Sequence, residues 1–331
     1  MTAPKYKIFR EDEMSSSDFK AEEDHVSPQD LIRILNECPA KWKFEASHAD
    51  MSNKVVAFGA SARVMMSSPE KFYSMFERMP IYGDFEKDKL ITSVSGLQSW
   101  LKERGVPGRS KSDPFELIDL VRDTAEAANE SVPVFWHEVE KEARMVAALN
   151  NRELVPGDVF DSVMRMREEL LKDERYSKVI SCGESNLSLF GSMKGVKVKV
   201  RLTRVTDDME VWNYRTARSV EPQRFVNSAY DLGYPMIMAM EYHAFRGAYG
   251  RNPNSINILA QEKEEPFIPL DFRMSRKTLK IGEYLLTQAL AIYKVAKEAD
   301  KWPVYNGGNS VDLDPPVWKE REFSHLFEEI K

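Results

Sequence analysis

Residues 184–242 read ESNLSLFGSMKGVKVKVRLTRVTDDMEVWNYRTARSVEPQRFVNSAYDLGYPMIMAMEY, and this stretch decides the fold. In its middle Val196, Val198, Val200 and Leu202 alternate with Lys197, Lys199, Arg201 and Thr203. A period of two marks a strand with two unlike faces, here one apolar and one basic. Thr206–Asp207–Asp208 reads as a turn and Met209–Tyr214 as the next strand, with Asn213 and Arg215, two apart, sharing a face. A helix around Pro222–Leu232, an apolar run at Pro235–Met240 and a further strand at Ser255–Ala260 follow.

Upstream the periodicity is helical. Ser27 is the expected N-cap of a helix with Pro28 at its first position, Asp30 in its first turn and Leu31, Ile32 and Leu35 on its apolar side. Val55–Met66 (VVAFGASARVMM) suits a buried helix ended by Pro69. Residues 133–150 and 156–176 read as amphipathic helices, the second capped around Asp158. Downstream, Leu279–Ala299 is a long helix with Ile281, Leu285, Leu286, Ala289 and Ile292 expected on its buried side. Strands flanked by helices make an α/β or α+β protein.

Composition narrows the class. The chain has 331 residues, 42% apolar and 30% charged, which excludes disordered, collagen-like and disulfide-stapled proteins. No apolar run approaches the roughly 20 residues a bilayer requires, and the polar MTAPKYKIFREDE start has no signal-peptide core. Cys38 and Cys182 have no metal or disulfide spacing, so a reducing cytoplasm is the expected setting, without a membrane. A net charge of −6 argues against a nonspecific nucleic-acid coat but leaves room for a local basic face.

In order and spacing, 184–242 resembles the catalytic core of the exodeoxyribonuclease VIII family of the PD-(D/E)XK nuclease superfamily. The family pattern is Glu-x-x-x-Ser-Leu, a Gly-Val turn, Lys-x-Arg-Pro-Asp, Asp-Tyr-Lys-Thr-Ala and Gly-Tyr-x-x-Gln-Ala. The resemblance extends through Ser27–Phe44 with its Cys38-Pro39-Ala40, Phe58-Gly59-Ala60, Pro69–Phe72 and Trp302-Pro303-Val304-Tyr305, covering most of residues 26–305. It implies a PD-(D/E)XK core of central mixed sheet and flanking helices, with a small helical insertion. Its members resect double-stranded ends for a single-strand annealing partner in phage-type recombination, often as ring-like oligomers.

The departures fall on the catalytic positions. Arg63 stands where the family has His, Thr203 where it has Asp, Asn213 for a second Asp, Arg215 for Lys and Ile237 for Gln; Glu184 alone survives. Hydrolysis of this kind requires Mg²⁺ held by carboxylates, and Thr203 and Asn213 bring no charge. Arg215 can hold a phosphate but does not exchange a proton near neutrality. The resemblance thus implies a catalytically degenerate member with no metal, Mg²⁺ being needed only if cleavage survives. Weak, salt-dependent binding of duplex or tailed DNA ends through Lys197, Lys199, Arg201 and Arg215 is the leading expectation. The alternatives are an active exonuclease with relocated ligands, for which Asp207, Asp208 and Glu210 are nearby carboxylates, and a module that engages a recombination enzyme. A homo-oligomer is compatible with each.

The expected organisation is a weakly ordered arm at 1–25, the first part of the nuclease-like fold at 26–90, an insertion at 91–130, the core at 131–310 and a tail at 311–331. The insertion resembles a SAP-type helix–extension–helix module (Trp100-Leu101-Lys102, Gly105, Gly108, Lys111, Leu117), as readily read as a plain helical hairpin. Its phosphate contacts would be Lys102, Arg104, Arg109 and Lys111. His25, His48, His137, His243 and His325 show no metal spacing, Met236, Met238 and Met240 read as core, and Gly307-Gly308 is no phosphate loop.

Overall fold

The computed structural model describes residues 6–47, 58–107 and 111–326. Its first elements are β1 (Lys7–Phe9), α1 (Ser16–Ala21), α2 (Pro28–Asn36), α3 (Pro39–Ser47), α4 (Phe58–Ser67), α5 (Pro69–Met75) and β2 (Phe76–Met79). The α2 start forms a reciprocal cap: the Ser27 hydroxyl accepts from the Asp30 N–H while Asp30 accepts from the Ser27 N–H at 2.8 Å. Next come β3 (Leu90–Ile91), α6 (Val94–Glu103), α7 (Pro114–Ala127) and β4 (Val134–Phe135). Here Leu97, Leu101, Leu117, Ile118, Val121 and Phe135 form a small core of their own, closed by the parallel β3–β4 pair.

The chain continues with α8 (Trp136–Leu149), β5 (Glu153–Pro156), α9 (Gly157–Lys172) and α10 (Glu174–Ser181). The single helix expected over 156–176 is two. Asp173, in extended backbone, accepts from the Arg175 and Tyr176 N–H groups and starts α10, whereas Asp158 lies in the first turn of α9 rather than capping it. The second half contains β6 (Glu184–Met193), β7 (Val196–Val205), β8 (Glu210–Ala217), α11 (Pro222–Asp231), α12 (Tyr234–Tyr249), β9 (Ser255–Glu262), β10 (Pro269–Arg273), α13 (Arg276–Ala299) and α14 (Val317–Glu322).

Six strands make a mixed sheet in the order β1-β6-β7-β8-β9-β10, antiparallel throughout except for the parallel β8–β9 pair. On one face Leu187, Leu189, Val198, Val200, Val211, Ile256 and Ile258 pack with α2, α12 and α13. On the other, Trp212, Tyr214 and Leu259 meet Met65 and Met66 of α4, Val163, Met166 and Leu170 of α9 and Val179 and Ile180 of α10. The apolar run 235–240 is the start of α12, buried on all sides, which is why it carries no helical period. Ile281, expected inside, is exposed on α13, whose inner side runs through Gly282, Leu286, Ala289 and Leu290.

Residues 6–25, expected as a weakly ordered arm, are laid across the sheet. β1 pairs with β6 from Lys7↔Phe190 to Phe9↔Ser188. Lys199 then donates to the carbonyls of Phe19, at 2.8 Å, and Glu22, closing the C-terminal end of α1. Arg201 donates to the carbonyls of Met14 and Ser15, and Lys197 pairs with Asp24 at 2.8 Å. The basic strand face is thus a cradle for the arm. Among the described residues, no helix is long and apolar enough to cross a membrane.

Candidate functional site

β7 and β8 are paired only at Arg204↔Trp212 and Val205↔Val211, at the end near their connecting turn. Just beyond, the Thr203 hydroxyl donates to Asn213 Oδ1 at 3.3 Å, and Asn213 Nδ2 donates to Glu241 Oε2 at 2.7 Å. The amide orientation has a chemical reason: an ionised Glu241 can only accept, so Asn213 turns its NH₂ toward α12 and its oxygen toward Thr203. Asn213 and Glu241 are both 2% exposed. Burial pushes the Glu241 carboxyl up to about 7, although Arg215 and the Asn213 hydrogen bond pull it back toward the ionised form. Ile237, one turn earlier on α12, is buried and offers no polar group.

Arginines surround this chain. Arg215 donates to the Tyr214 carbonyl and lies over the Tyr234 ring at 5.6 Å. Arg63, exposed on α4, is pushed below its ordinary range by the surrounding protein and by the charges of Arg215 and Arg201. It stays cationic, because the ordinary guanidinium value lies so far above neutrality. Its exposure makes the crowding of three cations the more telling of these causes. Among the described residues neither Arg63 nor Arg215 has a carboxylate partner within ion-pair distance.

The superfamily's metal does not fit these residues. Glu184 begins β6 and is taken by Arg10 Nε at 2.7 Å. Asn213 Oδ1 already accepts from Thr203, and the buried Glu241 is bound by the Asn213 amide. The nearby carboxylates do not substitute: Asp207 and Asp208 are exposed in a turn, while Glu210 accepts from Trp212 Nε1 at 3.0 Å and from the Ser255 hydroxyl at 2.9 Å. Among the described residues no group of three His, Cys, Asp or Glu side chains is arranged to hold a metal ion. A hydrogen-bonded chain flanked by arginines suits an anion.

The expected DNA contacts divide. Lys199 is buried and fully engaged by α1, and Arg201 by the arm and by Ser188, so the expectation of an open basic face through these two is corrected: Lys199 serves backbone carbonyls, and Arg201 serves backbone carbonyls, the Ser188 hydroxyl and the Glu11 carboxylate. Lys197 is exposed but paired with Asp24. In the insertion, Arg104 stacks on Trp100 at 3.7 Å and pairs with Glu130, Lys111 pairs with Glu116, and Lys102 is exposed. Arg109, Gly108, His48 and residues 55–57 lie outside the described residues. Both cysteines are free thiols. Sequence reading missed Glu241, although a lone acid inside the apolar PMIMAMEY run was its signal.

This sheet, flanked by helices and parting at Thr203 and Asn213, defines a nuclease-type fold of the PD-(D/E)XK class. The PDDEXK-like domain of unknown function DUF3799 matches residues 107–311, more than half of the chain, and the chain belongs to that family. Among solved structures, a protein of Eubacterium rectale described as a candidate exonuclease is similar over 94% of this chain and 98% of its own, with a TM-score of 0.48 and 11% identity. No curated protein matches.

Proposed function

We propose that this chain is a catalytically degenerate nuclease-fold protein that binds DNA ends. On this reading it is an accessory to end processing of the exodeoxyribonuclease VIII type, acting beside a single-strand annealing protein. One observation carries the reading. The Thr203–Asn213–Glu241 chain satisfies itself where the family places metal-bound carboxylates, and Arg63 and Arg215 stand next to it without carboxylate partners among the described residues. With the metal's role gone, phosphate recognition by guanidinium groups is the chemistry that remains.

The test is anisotropy titration of duplex and 3′-tailed oligonucleotides across a salt series. Each neutralised phosphate adds about −0.9 to the log–log salt slope. Arg63→Glu with Arg215→Glu should therefore flatten the slope by about two units and weaken low-salt binding, with no cleavage in Mg²⁺ or Mn²⁺. Unchanged binding and slope in the double variant would move the ligand elsewhere and favour a protein partner. One observation favours a second reading, an active enzyme with a relocated ligand: α12 supplies a buried carboxylate 2.7 Å from Asn213. Mn²⁺-dependent cleavage of linear duplex, abolished by Glu241→Gln, would establish that reading and overturn the first.

A further inference from the structure

A second site lies behind α12. At about 100° per residue, His243, Arg246 and Gly250 fall roughly 140–200° around the helix from Glu241, on the opposite side. There α12, α13 and the β6–β7 turn line an open cavity of about 720 Å³. Met193, Leu286 and Leu290 give it an apolar wall, and the His243–Glu283 pair, 2.9 Å apart, gives it a polar one. Lys194 and Arg246 also line it, both exposed, and among the described residues neither has an ion-pair partner. Glu283 is held by His243, which leaves two cations against one carboxylate at this cavity.

Tyr6 is the telling residue. Its ring lies in a slot between Gly191 of β6 and Gly247 of α12, where a methyl group on either glycine would stand 2.6 or 2.5 Å from ring carbons. The residue is 8% exposed, it lines the cavity, and its hydroxyl is buried with no hydrogen-bond partner among the described residues. Burial pushes the phenol's pKa up, so the group is a neutral donor. A buried donor left unmade opposes folding, and a ligand acceptor removes that penalty.

We propose that this cavity binds a small amphipathic organic anion. Its carboxylate or phosphate head sits at Lys194 and Arg246, its apolar body lies along Met193, Leu286 and Leu290, and its seating shifts the Tyr6 phenol, whose hydroxyl is closed off from solvent in this structure, onto an acceptor. The size suits such a molecule, since small-molecule pockets run from about 300 to 1,000 Å³. The site shares neither Arg63 nor Arg215, so it stands or falls apart from DNA binding.

Calorimetric titration with octanoate, octyl phosphate and octanol tests it on the full chain. One-to-one binding of at least one anion, tighter than octanol, is expected, and the tighter of the two distinguishes a carboxylate from a phosphate ligand. Arg246→Glu, a surface change, should weaken the anion by about tenfold or more. Tyr6→Phe should weaken it several-fold while leaving the melting temperature unchanged or higher, because an unsatisfied hydroxyl is removed. Absence of saturable binding by either anion, octanol binding as tightly, or affinity indifferent to both substitutions would overturn the proposal.

Discussion

At the scale of single residues, Glu241 is the most consequential side chain in the protein. A carboxyl raised from 4.5 to about 7 by burial binds more protons in the folded chain than in the unfolded one between those two values. Stability therefore falls as pH rises through that window, and above it the folded state carries a penalty of roughly 3 kcal/mol from this group, as an order of magnitude. Glu241→Gln keeps an acceptor for Asn213 Nδ2 but cannot ionise. The variant should melt close to the parent at pH 5 and several degrees higher at pH 8. Differential scanning calorimetry across pH 5–8 reads the difference between the two proteins, which cancels the titration of other groups. A gap that does not widen with pH would mean that Glu241 is ionised throughout or never. The same pair explains Asn213: an aspartate there would put two carboxylates at 2.7 Å, an arrangement that holds together only by sharing a proton or binding a cation.

At the scale of elements, β7 organises both the arm and the site. Its apolar side was legible in the sequence because Val196, Val198, Val200 and Leu202 alternate without a break and all enter the core. The use of its basic side was not legible. Alternation says which residues share a face, but not that Phe19 and Glu22 carbonyls, about 180 positions away in the chain, will cover it. Asn213 and Arg215 were placeable from their spacing, whereas Glu241 reaches Asn213 only through the packing of α12 on the sheet, a tertiary fact. β6 escaped notice because its apolar residues fall among Ser, Asn and Gly in a mixed pattern. If Lys199 holds the arm, Lys199→Met should strand the carbonyls at the end of α1 and cost about 1–3 kcal/mol. Trypsin should then cut after Lys20 and Arg10 several-fold faster than in the parent, with the rest of the chain still protected. Equal cleavage rates and an equal melting temperature would show that β1 alone secures the arm.

At the scale of the molecule, two places could carry DNA on a chain whose net charge is −6: the arginines beside Asn213 and the cations of the insertion. Such a charge repels a polyanion at long range, so contact must be local and strongly screened. The insertion's cations are mostly engaged, Arg104 by Glu130 and Trp100 and Lys111 by Glu116, while Arg63 and Arg215 have no ion-pair partners among the described residues. The architecture allows the two places to be separated cleanly. β3 and β4 run parallel side by side, Leu90 opposite Val134 and Ile91 opposite Phe135, so the chain leaves and re-enters the fold within a few ångströms. The insertion also keeps a core distinct from the two that pack on the main sheet. Replacing residues 92–133 with a short Gly-Ser linker should leave the sheet folded, apart from the cost of exposing Phe135. A single cooperative melt, lower than the parent's by a modest margin, is the expected signature. If the arginine site carries DNA-end binding, the excised protein should keep its affinity and salt slope. A slope flattened by two or more units would instead assign the phosphate contacts to Lys102, Arg104 and Lys111, and the helix–extension–helix unit would be the DNA module.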